Sequence, residues 1–200
     1  MNKELFLNRY KTQSIRANWH DYKGGNYFVT ICTKSRKQYF GKIINYKMIL
    51  TEIGEYLHEQ IIKTPEMRPD MNLEIPLFVI MPDHVHLIVS IGNNQYNCGD
   101  KIHNNCEGAM HCASTTTIES LNKISPQSKN LASIIRGIKI STTTYARKQG
   151  IPFAWQTRFH DHIIRNNDEM NGIAKYIENN VANWKEDEFY TPHRPRRDVS

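Results

Sequence analysis

The sequence predicts an α+β sandwich, in which helices pack on a largely antiparallel sheet. Two observations predict it. Strand and helix patterns occur in the order strands, helix, strand pair, helix, strand, helix, and the central strand pair is joined through Pro82-Asp83 as a compact hairpin. The element order by itself places the helices on one face of the sheet. A length of 200 residues corresponds to about one domain, so we expect residues 1–200 to form a single domain.

Strands are predicted where β-branched and aromatic residues follow one another between turn residues. They cover residues 27–33, 38–44, 47–50, 77–81, 85–91 and 159–165. A first helix is predicted to begin after Thr51, a good N-cap, and to end at Thr64-Pro65. Residues 131–148 show the clearest amphipathic pattern, and a last helix is predicted from Asp168 through Trp184.

Two segments lack these patterns. Residues 92–129 are rich in Gly, Asn, Ser, Thr, Lys and Gln, and such a long structureless stretch indicates a surface insertion or a flexible linker. Residues 185–200 form a basic C-terminal tail. The insertion also contains a loose set of possible zinc ligands, namely Cys98, His103, Cys106, His111 and Cys112. Their spacing is wider than that of a typical zinc site, so the role of the insertion stays open.

Composition narrows the class of protein. The formal net charge of +6 favours a polyanionic partner. No stretch of 18 or more apolar residues occurs, so we expect no membrane span, and the polar N-terminus does not resemble a signal peptide. Four cysteines in such a chain suggest reduced thiols, with Cys32 a buried one, and a cytoplasmic location.

The sharpest local motif is His84-Val85-His86 in the second hairpin strand. Side chains alternate along a strand, so both imidazoles point to one face. When neutral, they offer two nitrogens at a spacing that suits one metal ion. For the tripeptide alone, the simpler alternative of two polar residues on a solvent-facing surface is favoured.

A second motif lies in the last helix. Tyr176 and Asn180 are four residues apart at the edge of its apolar face, and are therefore neighbours on the helix surface. For an isolated Tyr, amphipathic packing is the commoner role. The geometry nevertheless allows the hydroxyl and the amide to reach a common point on the sheet.

Together these motifs resemble a known family. The matching residues are Ser14-Ile15-Arg16, Tyr22, Tyr27-Phe28-Val29-Thr30, Met81-Pro82-Asp83-His84-Val85-His86, Trp155-Gln156, Arg158-Phe159-His160-Asp161-His162-Ile163-Ile164-Arg165-Asn166, Tyr176-Ile177-Glu178-Asn179-Asn180 and Trp184. This set resembles the REP-associated tyrosine transposases, the single-tyrosine branch of the HUH nucleases (His, bulky hydrophobic residue, His). The resemblance covers residues 14–91 and 131–184.

The resemblance implies a ferredoxin-like fold and a transposase-like endonuclease that binds hairpin-containing single-stranded DNA, such as a REP-like palindrome. It implies that His84, His86 and, with a weaker match, Asn180 bind a divalent metal, Mg²⁺ or Mn²⁺. It also implies that Tyr176 attacks the DNA through a 5′-phosphotyrosine intermediate, so that the strand is cleaved and rejoined. The protein would be a monomer or a homodimer.

Two positions depart from the family pattern. Asp83 stands where members often have Asn, which could alter the turn or add a carboxylate near the metal. Val181 stands where they often have Pro, so we expect the last helix to continue further than usual.

Several basic and aromatic residues are candidate DNA contacts, since phosphates attract cations and bases stack on aromatic rings. They are Arg16, Trp19, Tyr22, Arg136, Lys139, Arg158 and Arg165. A solvated helix face and a mobile terminus explain them equally well. His160 and His162 would share a strand face, where structural or DNA-contacting roles are favoured over a second metal pair.

Two other functions remain open at this stage. A non-catalytic module of the same fold would bind hairpin nucleic acid without cutting it. A metal hydrolase would use His84 and His86 with a water nucleophile and would not need Tyr176.

Overall fold

The computed structural model describes residues 20, 22–95, 97 and 129–184. Some sequence-based predictions lie outside these residues: the DNA contacts Arg16 and Trp19, the possible zinc ligands of the insertion and the basic tail. The elements are β1 (Gly25–Cys32), β2 (Gly41–Ile44), β3 (Lys47–Leu50), α1 (Glu52–Lys63), β4 (Leu73–Ile80), β5 (His84–Ile91), α2 (Leu131–Lys148), β6 (His160–Ile164) and α3 (Asn167–Asn179).

Four strands form one antiparallel sheet in the order β4-β5-β1-β6, and β2 pairs with β3 as a separate hairpin. The predicted α+β class is therefore confirmed. The predicted hairpin of β4 and β5 is present, although β4 begins at Leu73 and not at Leu77 as predicted. Strand β1 lies between β5 and β6. The centre of the sheet thus consists of β5, which carries the paired histidines, and β1.

Polar caps explain where the helices begin. Thr51, Asn130 and Asn166 are extended residues, and the side chain of each accepts a hydrogen bond from the backbone N–H three residues later. These bonds satisfy amide groups that have no partner inside the helix. The three predicted helix starts are confirmed to within about one residue.

The helices lie on both faces of the sheet, whereas the element order predicted one. Val85, Leu87 and Val89 of β5 belong to the large core that includes residues of α1 and α2. Ile88, which points to the opposite face, packs in a smaller cluster with Ile177 of α3. Because α1 and α2 already cover the first face, the apolar stripe of α3 is buried on the second. His84 and His86 share this second face with Ile88.

Helix α3 ends earlier than predicted. Its last residue is Asn179, and the Asn180 N–H donates to the Ile177 carbonyl at 3.3 Å, three residues back. This tighter bond is typical of a closing helical turn. Beyond Asn179 the chain continues in turns, and the Asn183 N–H donates to the Asn179 carbonyl at 3.0 Å, so regular helix ends at Asn179 although the turns reach Trp184. In the part of the chain that the structure describes, no helix has the length and apolar character needed to cross a membrane.

Candidate active site

The two histidines begin β5 and face each other in the protein interior. His84 is 0% and His86 is 2% exposed. Their Nε2 atoms are 3.0 Å apart. They are thus not polar residues on a solvent-facing strand, which was the simpler sequence-based alternative.

The Nδ1 atom of each imidazole contacts a polar side chain that orients the ring. Nδ1 of His84 is 2.7 Å from Asp83 Oδ1, and Nδ1 of His86 is 2.8 Å from Thr30 Oγ1. The carboxylate accepts the Nδ1–H of His84, and the hydroxyl can accept that of His86. Both Nε2 atoms can then present lone pairs to the same point, the arrangement found behind metal-binding histidines.

The environment keeps one of these rings neutral. Burial, with smaller contributions from the nearby His84 and Arg36, lowers the pKa of His86 to about 3. An imidazole with this pKa carries no charge at neutral pH. His86 is therefore in the protonation state that a metal ligand requires.

The phenol of Tyr176 reaches this pair from α3. Its Oη atom is 3.4 Å from His86 Nε2. The ring meets the His86 ring edge-on at 5.3 Å between centroids, and Phe28 stacks on His86 from β1 at 5.2 Å. Tyr176 nevertheless remains 45% exposed. A phenol buried for packing would not leave its ring open to solvent in this way.

Asn180 and Trp184 continue the contact of this chain segment with the sheet. Asn180 is 4% exposed, and its Oδ1 is buried with no hydrogen-bond partner among the described residues. The ring of Trp184 lies 6.0 Å from that of His84. A buried amide oxygen without a hydrogen-bond partner costs free energy, and a bound ion or water that contacts the oxygen would remove this cost.

These groups fit an octahedral divalent cation. Two ligands at right angles, each about 2.1 Å from Mg²⁺, are about 3.0 Å apart, which equals the separation of the two Nε2 atoms. The same separation also suits an N–H···N hydrogen bond in the metal-free protein. Within the described residues, no group of three or more His, Cys, Asp or Glu could hold a metal ion. The two imidazoles are therefore the nitrogen ligands on offer, and the buried Oδ1 of Asn180, without a hydrogen-bond partner among the described residues, is a candidate oxygen ligand.

A basic groove of about 1360 Å³ adjoins this site. Among its lining residues are Arg136 and Arg147 of α2, and Arg158 from the segment before β6. Thr30, the partner of His86, also lines it. The lining of the groove includes none of His84, His86 and Tyr176, so Thr30 is the residue that relates the groove to the histidine pair.

Lys139 lines the same groove but has a different contact pattern. Its ammonium donates to the backbone carbonyls of Gln156 and Arg158 at 2.8 and 2.7 Å, and lies 5.8 Å from the centre of the Trp155 ring. Burial lowers its pKa to about 8. Lys139 thus holds the segment before β6 against α2, a structural contact that the sequence did not predict.

The other candidate DNA contacts do not line this groove. Tyr22 is half-buried, and its ring stacks on Tyr27 at 5.5 Å between centroids. Arg165 is exposed, and its backbone N–H donates to the carboxylate of Glu169 at 2.8 Å. His162 Nε2 is 2.5 Å from the other oxygen of Glu169, so this histidine supports the start of α3.

The comparisons with known proteins agree with the fold. No family model matches the chain. It is 32% identical over 180 residues to an uncharacterized protein of Haemophilus influenzae, covering 89% of this chain and 92% of the relative. It is also similar to the solved structure of a REP-associated tyrosine transposase bound to a REP hairpin, with a TM-score of 0.53, 21% identity, and coverage of 86% of this chain and 74% of that one. The chain therefore belongs to the same family as the Haemophilus influenzae protein, and it has the fold of a REP-associated tyrosine transposase, as the sequence motifs indicated.

Proposed function

We propose that this protein is a transposase-like HUH endonuclease that binds hairpin-containing single-stranded DNA, then cleaves and rejoins it through Tyr176. The observation that carries the proposal is the position of the half-exposed Tyr176 hydroxyl, 3.4 Å from Nε2 of the buried His86. Tyrosine, a cation site and an open approach for a nucleic-acid strand are what such chemistry requires.

His84, His86 and Asn180 would hold Mg²⁺ or Mn²⁺. The two Nε2 atoms and the Oδ1 of Asn180, which has no hydrogen-bond partner among the described residues, would supply nitrogen and oxygen ligands, a mixture that Mn²⁺ tolerates better than Mg²⁺ does. When bound, the cation would act as a Lewis acid on the scissile phosphate and offset the charge that develops there.

Tyr176 supplies the nucleophile. Its Oη forms a bond to the phosphorus, and the bond from phosphorus to the 3′-oxygen breaks. The phenol loses its proton and the departing oxygen gains one, so the products are a 5′-phosphotyrosine and a free 3′-hydroxyl. Because the ester to tyrosine conserves the phosphodiester energy, a 3′-hydroxyl can reverse the step without ATP. This is the advantage of a tyrosine over water in a transposase.

The DNA strand would lie in the basic groove. Arg136, Arg147 and Arg158 supply positive charge along it, and Thr30 connects it to His86. The similar transposase is bound to a REP hairpin, and we infer a hairpin-containing single strand as the partner here also. Because the Tyr176 hydroxyl reaches His86 of its own chain, we propose that one chain can hold a complete site, whether the protein is a monomer or a homodimer. We expect the protein to act in the cytoplasm.

The test is incubation with a 5′- or 3′-labelled hairpin-flanked single strand in Mg²⁺ or Mn²⁺. We expect a protein–DNA adduct that survives denaturation and is lost in Tyr176→Phe. Tyr46→Phe is the matched control, because Tyr46 is 73% exposed in the β2–β3 turn. Cutting that persists in Tyr176→Phe would indicate the metal hydrolase. Salt-sensitive hairpin binding that ignores EDTA, with no adduct from the wild type, would indicate the non-catalytic module.

A further inference from the structure

Asp83 is a fully buried carboxylate with a hydrogen-bond partner on one oxygen and, on the other, an ion-pair partner whose approach lacks hydrogen-bond geometry. It is 0% exposed. Oδ1 is 2.7 Å from Nδ1 of His84, and Oδ2 is 3.2 Å from Nε of Arg36. The carboxylate thus links a guanidinium to the first histidine of β5.

The backbone around Asp83 is fixed as firmly as the side chain. Its carbonyl accepts the N–H of Thr33 at 2.9 Å and the hydroxyl of Thr33 at 3.0 Å. These bonds join the turn before β5 to the end of β1. Arg36, three residues after Thr33, has a φ of 54°, a conformation that is unfavourable for a residue other than glycine. This strained backbone places the guanidinium of Arg36 against the carboxylate of Asp83.

Burying the Asp83 carboxylate would be energetically unfavourable if its only role were to form the turn. Removing a carboxylate and its cationic partner from water costs free energy, and replacing such a buried pair as a whole by apolar residues of similar volume is often no less stable. The carboxylate of Asp83 also contacts His84, a residue of the candidate active site. Whatever occupies Nδ1 of His84 decides which nitrogen carries the proton, and so whether Nε2 can act as a ligand.

We propose that Asp83, held by Arg36, is a positioning residue that keeps the proton of His84 on Nδ1 and its Nε2 lone pair directed at Nε2 of His86. The inference deepens the proposed function and rests on it where the cation is concerned. The carboxylate faces Nδ1, on the far side of the ring from Nε2, so it is not itself a ligand of the cation. It acts through His84.

The tautomer of His84 gives a readout that needs neither metal nor DNA. In ¹⁵N-labelled protein with EDTA, long-range ¹H–¹⁵N correlation spectra distinguish a protonated from an unprotonated ring nitrogen. We expect His84 of the wild type to be protonated at Nδ1. In Asp83→Ala we expect the proton to redistribute between the two nitrogens. An Asp83→Ala protein that keeps the wild-type Nδ1–H pattern refutes the positioning role.

Mn²⁺ affinity, measured by electron paramagnetic resonance, is the second readout. We expect Asp83→Ala to lose about 10–100-fold, the usual effect of removing a partner behind a ligand. Asp83→Asn, whose amide oxygen can still accept the Nδ1–H, should retain the tautomer, lose less affinity and remain folded if the alanine variant does not. Asp70→Asn is the control, because Asp70 is paired with Lys129 at the surface.

Failure of this inference and failure of the proposed function are distinguishable. If Asp83→Ala binds Mn²⁺ as tightly as the wild type, Asp83 has no positioning role, whatever the DNA chemistry. If both readouts change as expected but the wild type never forms an adduct with DNA, the positioning role holds and the nuclease assignment is wrong.

Discussion

Replacing Asn180 with Leu separates the effect of the candidate metal site on the stability of the protein from its role in metal binding. Leu has nearly the same shape as Asn but no polar atoms. The Oδ1 of Asn180 is buried without a hydrogen-bond partner in the described part of the chain, and an unsatisfied polar atom of this kind costs about 1–3 kcal/mol. We therefore expect the free energy of unfolding, measured in EDTA, to rise by about 1–2 kcal/mol in Asn180→Leu. For a domain of this size the rise corresponds to an increase in Tm of about 2–8 °C.

The same variant should lose the response to metal. Wild-type Tm should rise with Mn²⁺ concentration, because a ligand that binds only the folded state stabilises it. Asn180→Leu should show a much smaller rise. Asn183→Leu, at an exposed position one turn later, is the matched control and should leave both values unchanged. A loss of stability in Asn180→Leu in EDTA, similar to that of a core substitution, would show that the amide serves the fold and would remove the main argument for Asn180 as a ligand.

Two further predictions concern the framework of the site. Gly54→Ala should lower the free energy of unfolding by about 1–3 kcal/mol, because its Cβ would lie 2.2 Å from the Phe40 carbonyl oxygen. In Gly172→Ala the Cβ would meet no described atom within 4 Å apart from its chain neighbours and its own helical backbone, so this variant should raise the free energy of unfolding by about 0.5–1 kcal/mol. Urea unfolding measures both, and equal effects would contradict the packing argument. Lys139→Met removes two hydrogen bonds to backbone carbonyls, so amide hydrogen exchange in residues 153–159 should accelerate, whereas the exposed Lys148→Met should leave it unchanged. Unaltered exchange in Lys139→Met would mean that Lys139 does not hold this segment.

The elements of the fold could be predicted because their signals are local. The amphipathic period over residues 131–148 and the cap at Asn130 define α2 without reference to any other part of the chain. Residues 47–50 were predicted as a strand and form β3. The end of α3 was predicted too late because the apolar period continues to Val181 and Trp184, beyond the stop signal of Asn179-Asn180.

The arrangement of the elements was less accessible, since it depends on pairing between distant segments. Thr30 lies opposite His86 and Cys32 opposite His84 in the β1–β5 register. Nothing in the local sequence specifies this register, and a shift of one residue would turn the side chains to the other face. Thr30 and Phe28 were therefore not recognised as neighbours of His86. Asp83 directly precedes His84, so the sequence suggested that its carboxylate could lie near a metal bound there. In the structure the carboxylate contacts Nδ1 of His84, the ring nitrogen that faces away from His86.

The site also depends on which face of the sheet each helix covers. His84 and His86 point away from the large core, so they are useful only if another element covers that face without sealing it. Helix α3 meets this requirement because it is weakly anchored: Ile177 is its one buried residue, and its cluster with Ile88 and Ile164 is small. A helix with a broader apolar face would bury the histidines more completely, but it would also bury Tyr176. The narrow apolar stripe of α3 thus allows the histidine pair to be buried while the adjacent Tyr176 phenol remains half-exposed.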